Sequence, residues 1–342
     1  MTSTQILKEP FLNPACTTIL VTGASGYIAS HIVNEALLLG YSVRGTARTQ
    51  EKATKTHKTF QDNPRYSTVI VSDFGHASQE VDNAVKGVNA IVHVAADMTF
   101  SGKPESIQGV VRGTELLLQA AAKEESVRRF VLTSSSTAAL LPLPNTEFTV
   151  TGDTWNDIAV ETAYNKRGES IGPNSYPFVV YAAMKTQSEK ALWKFMKEQN
   201  PPFTANAILP NMNFGRILDS PGATGSIVPF IFEKGERPPL TPQYFIDVID
   251  DARLHLIAAV LDESIVNQRI FAFAEPFNLN DCVEAIRRVR PDVKSEMKID
   301  EAEGRDLSKV ATEKGAELLR AWYGQNGYKM FDQSVAENLE GY

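Results

Sequence analysis

Short β-rich runs, several of them almost wholly apolar, recur along the first part of the chain: Thr18–Thr22, Ser42–Ala47, Thr68–Val71, Ala90–Val94 and Phe130–Thr133. Stretches with apolar residues at helical spacing lie between several of them, at Ile28–Leu39, Val81–Val85 and Gly113–Lys123. Strands alternating with helices predict βαβ units and a parallel sheet. A run such as Ile91-Val92-His93-Val94 has no polar face, as expected when helices cover both sides of a sheet. The pattern continues with a helix over Tyr181–Met196 and a strand over Thr204–Leu209. Asn200-Pro201-Pro202 separates them, because proline ends helices.

After Pro210 the texture changes. Residues 211–245 are rich in Gly and Pro and lack clear periodicity, while helix and strand signals return at Val248–Leu261 and Arg269–Phe273. The stretch 276–320 reads as small helices joined by loops. The expected division is a nucleotide-binding core over 15–210, with returning segments near 246–275 and 320–342. A smaller interleaved substrate-binding part takes 211–245 and 276–319.

Composition narrows the function classes. The 342 residues carry 34 Lys+Arg and 41 Asp+Glu, a net charge of -7, which argues against a nucleic-acid or membrane-surface protein. Cys16 and Cys282 are far apart and form neither a disulfide framework nor a metal-ligand spacing. No stretch approaches the roughly 18 uninterrupted apolar residues of a membrane span. Met1 to Pro14 carries Lys8 and Glu9 and no apolar core, so it reads as a short arm before the first strand, not as a signal peptide. A cytoplasmic location is the expectation.

Candidate chemistry starts at Val21-Thr22-Gly23-Ala24-Ser25-Gly26-Tyr27-Ile28-Ala29, which closes a strand and opens a helix. Gly23 allows the tight turn, Gly26 lets the backbone approach a pyrophosphate, and Ala29 permits close helix–strand packing. The helix N-terminus then faces the phosphates. Gly23, Ser25, Gly26, Tyr27 and Ile28 are the expected contacts; the alternative is an ordinary Gly-rich turn. A dinucleotide site on a doubly wound sheet is a Rossmann-type fold. An NAD site usually has an acid at the end of the second strand. Here Val43-Arg44-Gly45-Thr46-Ala47-Arg48 has none, and the first acid is Glu51. Arg48, assisted by Lys52, suits a 2′-phosphate, which favours NADPH/NADP+ over NAD(H). Two solvated surface cations are the bland alternative.

Tyr181 and Lys185 are four apart and share one helix face. An ammonium beside a phenol is expected to lower its pKa from about 10 and equip it for proton exchange with a carbonyl or alcohol. The spacing is weak evidence alone. Its context is the apolar run Phe130–Thr133 ending in Ser134-Ser135-Ser136, because ligands bind at the carboxyl ends of strands in such sheets. One of these hydroxyls can hold a substrate oxygen; the others suit local turn bonds.

Thr22–Ala29, Gly45-Thr-Ala-Arg48, Arg129–Ser135 and Tyr181-Ala-Ala-Met-Lys185 together resemble the extended short-chain dehydrogenase/reductases. The likeness is to the dihydroflavonol-reductase-like branch, and within it to yeast and fungal NADPH-dependent aldehyde and ketone reductases. It spans about residues 15 to 340. Lys194-Phe195-Met196, Ala207–Asn211 and Gln243-Tyr244 extend it. The resemblance implies that Ser135 is the catalytic serine, with Ser136 leaving some ambiguity, beside Tyr181 and Lys185. It implies Asp73 by the adenine, Ala95 and Ala96 in the loop under the cofactor, and Pro210 beside the nicotinamide. The polar stretch from Asn145 to Val180, with Trp155 and Gly168–Gly172, either shapes the pocket or is a mobile insertion.

Phe100, Phe178, Asn211 and Gln243 are the expected substrate-pocket residues. The five histidines have no metal-ligand spacing, and His93 reads as a core or loop histidine. Asp247, Asp250 and Asp251 read as helix caps. The expected activity is NADPH-dependent reduction of a small-molecule aldehyde or ketone, by a monomer or homodimer. Two other readings compete: a nucleotide-sugar epimerase or dehydratase that retains NAD, and a non-catalytic NADP(H)-binding regulator.

Overall fold

Apolar runs too uniformly hydrophobic for an exposed sheet face need cover on both sides, and helices supply it. The computed structural model describes residues 5–291 and 298–342. Its first half alternates β1 (Thr18–Val21), α1 (Tyr27–Leu38), β2 (Ser42–Ala47), α2 (Gln50–Thr59), β3 (Tyr66–Ile70), α3 (Ser78–Val85), β4 (Ala90–His93), α4 (Glu105–Lys123) and β5 (Arg129–Thr133). There follow β6 (Thr149–Val150), α5 (Asp157–Asn165), α6 (Tyr176–Gln199), β7 (Thr204–Pro210), β8 (Met212–Phe214), α7 (Ile227–Lys234), β9 (Gln243–Asp247) and α8 (Val248–Leu256). The chain closes with β10 (Arg269–Ala272), β11 (Glu275–Phe277), α9 (Leu279–Val289), β12 (Lys309–Val310), α10 (Glu313–Tyr323) and α11 (Phe331–Asn338).

Among the described residues seven strands form the main sheet, in the order β10-β7-β5-β4-β1-β2-β3, and every pairing is parallel. Strand alternation sends Ile19, Val21, Val92 and Val131 to one face, where they pack with residues of α1 and α8. Leu20, Ile91, Phe130 and Leu132 go to the other, against α3, α4 and α6. Each fully buried aliphatic side chain of this kind contributes about 1.5–3 kcal/mol. This is the predicted doubly wound α/β architecture. The strand order reverses between β1 and β4, so a crevice opens at their carboxyl ends.

Residues 211–245 do contain regular structure. β8, β9 and β11 form a small separate sheet, and Phe214, Phe245, Phe277 and Phe331 pack edge-to-face or tilted at its centre. The strands are too short, and too interrupted by Gly and Pro, for their period to stand out. The helix holding Tyr181 is also longer than its apolar pattern. It begins at Tyr176 with Pro177 in its first turn, where a missing N–H is tolerated. Asp247 caps α8 through the Ile249 N–H (2.9 Å), but Asp250 and Asp251 lie fully buried in its first turn and do not cap it.

The stretch 145–180 is docked onto the body. The Arg269 guanidinium stacks over Trp155 at 3.9 Å and donates to the carbonyls of Gly152 (2.6 Å) and Thr154 (2.8 Å). Asn174 Nδ2 donates to the Pro142 carbonyl (2.9 Å). The N-terminal arm, of which residues 1–4 lie outside the described ones, is tied down by Leu7, Phe11 and Leu12 N–H groups donating to the carbonyls of Trp322, Leu261 and Val260.

Candidate active site

A cleft of about 830 Å³ runs along the crevice at the sheet's carboxyl edge. Its floor is the turn between β1 and α1. Gly23 sits at φ +69°, where a Cβ would also come within 3.3 Å of Ala95. The Gly23 N–H donates to Thr46 Oγ1 (2.9 Å), joining the turn to β2. Gly26 caps α1 with no side chain over the helix end, so the first-turn N–H groups face the cleft with their positive dipole end. Ala29 is fully buried, as close helix–strand packing requires. Ser25, Tyr27 and Ile28 also line the cleft.

Thr22, which the sequence did not single out, organises the neighbouring loop. Its Oγ1 accepts from the N–H groups of Val94 and Ala95 (2.9 Å each) and lies 2.9 Å from His93 Nδ1. With both lone pairs occupied, the Thr22 hydroxyl donates to His93, whose Nδ1 is then unprotonated. Burial, reinforced by the charge of Lys185, pushes the His93 pKa down to about 3. This holds Ala95 and Ala96 against the cleft.

One end is cationic. Arg48, Lys52 and Asp73 line it. Asp73 Oδ1 accepts from the Gly75 N–H (2.8 Å); that bond, His76 and Arg48 hold its carboxyl below the usual range.

At the opposite end the three serines separate by their bonds. Ser134 and Ser135 both line the cleft, but Ser134 donates to buried Glu189 (2.6 Å), and Ser136 is absent from the lining. Tyr181 and Lys185 reach the same place from α6. Lys185 Nζ donates to the Thr133 carbonyl (3.0 Å); burial pushes its pKa down to about 8, opposed by Glu189. The Tyr181 phenol departs from expectation. Burial raises its pKa, and the moderating group is the Ser135 hydroxyl within hydrogen-bonding reach, while the Lys185 ammonium is engaged with the Thr133 carbonyl.

The remaining expected contacts divide. Pro210 and Asn211 line the cleft. Phe100 and Phe178 flank the Tyr181 ring with centroids 5.0 and 6.0 Å away, but neither borders the main cleft; Phe100 borders a small recess beside it. Gln243 is turned aside, its amide donating to the Thr241 carbonyl (3.0 Å). Gly222, Ala223 and Thr224 line the cleft and were not foreseen, because they come from a loop beyond β8 that bears no motif. No residue between 145 and 180 borders the cleft.

Known proteins resemble the chain over most of its length. The family model described as "NAD dependent epimerase/dehydratase family" matches residues 19–229. The chain is 35% identical to aldehyde reductase 2 of Sporidiobolus salmonicolor, over 95% of each chain. It is 35% identical to the ketoreductase adrE of Penicillium rubens, over 94% of this chain and 95% of that one. Among solved structures, Gre2 of Candida albicans in complex with NADPH superposes with a TM-score of 0.79 at 26% identity, covering 95% of this chain and 98% of that one.

Proposed function

The chain belongs to the NAD dependent epimerase/dehydratase family, and within it we propose that it is an NADPH-dependent carbonyl reductase. The observation that carries this is the convergence of Ser135, Tyr181 and Lys185 at one end of a cleft whose other end holds Arg48 and Lys52.

The cleft's residues fit the dinucleotide. A Cβ at Gly23 would crowd Ala95, the open α1 terminus offers N–H donors for a diphosphate, and Arg48 with Lys52 suits a 2′-phosphate. When bound, NADPH supplies the hydride that reaches the carbonyl carbon, and leaves as NADP+. The protein's part is to hold and protonate the oxygen. Ser135 donates a hydrogen bond to the carbonyl oxygen, and Tyr181 passes its phenolic proton to that oxygen as the alcohol forms. A phenol is protonated at neutral pH, the state a proton donor needs, and burial raises the Tyr181 pKa further. Lys185, fixed by Thr133, offers its ammonium to the cofactor ribose and later to the tyrosinate, which regains its proton from solvent.

The substrate end disfavours a nucleotide sugar. Among the described residues Asp97 and Lys185 are the charged groups there, and no arginine is present to hold a second diphosphate. An end so poor in charge suits an uncharged, apolar aldehyde or ketone. A non-catalytic regulator would have no need of the assembled hydroxyl, phenol and amine.

The test is NADPH oxidation across aldehydes, aryl ketones, β-ketoesters and dicarbonyls, with NADH in parallel, for wild type and Tyr181→Phe. Turnover lost by at least 100-fold in Tyr181→Phe, with NADPH binding kept, supports the proposal. Undiminished turnover in that variant, or NAD that stays bound through cycles with no net NADPH oxidation, overturns it.

A further inference from the structure

Ser135 sits on a turn held by residues outside the three proposed for catalysis. Ser135 Oγ accepts two hydrogen bonds from one residue: from the Thr137 N–H (3.2 Å) and from Thr137 Oγ1 (3.0 Å). Thr137 is itself 97% buried and is pinned from the docked segment, since Asn156 Nδ2 donates to its carbonyl (2.7 Å) and the Asn156 N–H donates to the Ala138 carbonyl (3.0 Å). Asn156 is held in turn as the cap of α5, accepting from the Ala159 N–H (3.3 Å).

A serine hydroxyl has one hydrogen and two lone pairs. Thr137 occupies both lone pairs, so the Ser135 hydrogen is its one remaining polar valence, and Tyr181 lies within its reach. We propose that Thr137 is a positioning residue that fixes Ser135 as an obligate donor toward the carbonyl oxygen, and that the 145–180 segment serves the reaction by pinning Thr137 through Asn156. The inference rests on the carbonyl-reductase reading of the site.

The physical consequence is directional. A free serine hydroxyl rotates among three staggered positions and accepts as readily as it donates. A carbonyl oxygen gaining charge needs a donor already in place, since a group that must reorient during the reaction stabilises less. Val is isosteric with Thr and removes only the Oγ1 donor. The backbone donor remains, so the effect is a partial loss rather than an abolition.

The experiment compares Thr137→Val, Thr137→Ser, Ser135→Ala and the double variant Thr137→Val/Ser135→Ala, with methylglyoxal and 4-nitrobenzaldehyde as probes. Active sites are counted by NADPH fluorescence titration. Thr137→Val is expected to lower kcat per NADPH site about 5- to 10-fold with NADPH affinity within twofold, and Thr137→Ser to restore it. In the Ser135→Ala background Thr137→Val should change kcat less than twofold, because the donor it orients is gone; a purely structural role would lower both backgrounds alike. Thr137→Val within twofold of wild type, Thr137→Ser as slow as Thr137→Val, or equal losses in both backgrounds overturns the proposal. Should Thr137→Val fail to fold, Thr137→Ala against Thr137→Ser makes the same comparison. Tyr181→Phe, run beside these, separates the two ideas. If it keeps full turnover, the carbonyl-reductase reading itself fails; if it is inactive while the Thr137 variants are normal, only the positioning role fails.

Discussion

The ammonium of Lys185 donates to the main-chain carbonyl of Thr133 across 3.0 Å, bridging the third turn of α6 to the carboxyl end of β5. The bond holds a buried cation where the strand edge opens into the cleft. Lys185→Met removes the charge and the donor and leaves the Thr133 carbonyl unpaired. We expect kcat for NADPH-dependent reduction to fall at least 100-fold and NADPH affinity to fall several-fold. Steady-state kinetics and fluorescence titration measure these; a variant retaining more than a tenth of the wild-type kcat would remove Lys185 from the mechanism.

Arg48 is exposed at the far end of the cleft, so its contribution is screened by solvent. A charge-assisted bond to a phosphate is worth roughly 1.5–3 kcal/mol, and exposure puts this one at the lower end. Arg48→Ala is therefore expected to raise KM for NADPH about tenfold and leave KM for NADH within twofold. Paired kinetics with the two cofactors check it. Equal losses with both would mean that Arg48 does not read the 2′-phosphate.

At Gly23 two requirements coincide, a left-handed φ of +69° and a 3.3 Å approach to Ala95. A non-glycine residue in that backbone region costs about 1–2 kcal/mol, before any movement of the Ala95 loop. Gly23→Ala is expected to lower unfolding free energy by about that amount and to weaken NADPH binding tenfold or more, since Ala95 also lines the cleft. Urea unfolding and fluorescence titration read the two effects separately. Normal NADPH affinity in a destabilised variant would disconnect the turn from the cofactor.

The βαβ core was legible because strands covered by helices on both faces are largely apolar, and β1, β4 and β5 advertise themselves that way. α2 carries no such signal: only Ala53 and Thr56 are buried in it, and the Thr49 cap is its main marker. The turn end of the cleft was legible in Gly23 and Gly26 because a local strand–turn–helix builds it. The end holding Tyr181 draws on β5, α6 and β7, residues brought together only by tertiary packing, and the Gly222–Thr224 loop joins the cleft from beyond β8, with Gly222 against Tyr27. Gln243 failed as a pocket residue because its nearest acceptor, the Thr241 carbonyl, is two residues away in the chain. Tyr181 and Lys185 lie on one helix, α6, and both line the cleft, yet spacing could not reveal that Thr133 engages the ammonium.

His93 gives a pH dependence that follows from its burial beside the charge of Lys185. Its pKa is pushed down to about 3 in the fold, against about 6.5 in an unfolded chain. Between those values the unfolded state binds a proton that the folded state does not, so stability rises with pH across the window and is lost as pH falls from about 6.5 toward 3. By pH 5 the loss from this one group is on the order of 2 kcal/mol. Protonating Nδ1 would set two hydrogens against each other, because the Thr22 lone pairs already serve Val94 and Ala95. His93→Asn keeps an acceptor near Nδ1 and cannot be protonated. It should be less stable than wild type at pH 7, because the smaller side chain leaves space in the core. Between pH 7 and 5, however, it should lose about 2 kcal/mol less than wild type. His31, buried and pushed down to about 4, titrates in both proteins and cancels from the comparison. Urea unfolding of the two proteins at pH 7, 6 and 5 measures the difference. Parallel losses would mean that His93 takes up its proton without disturbing Thr22, and that the Ala95 loop is held by other bonds.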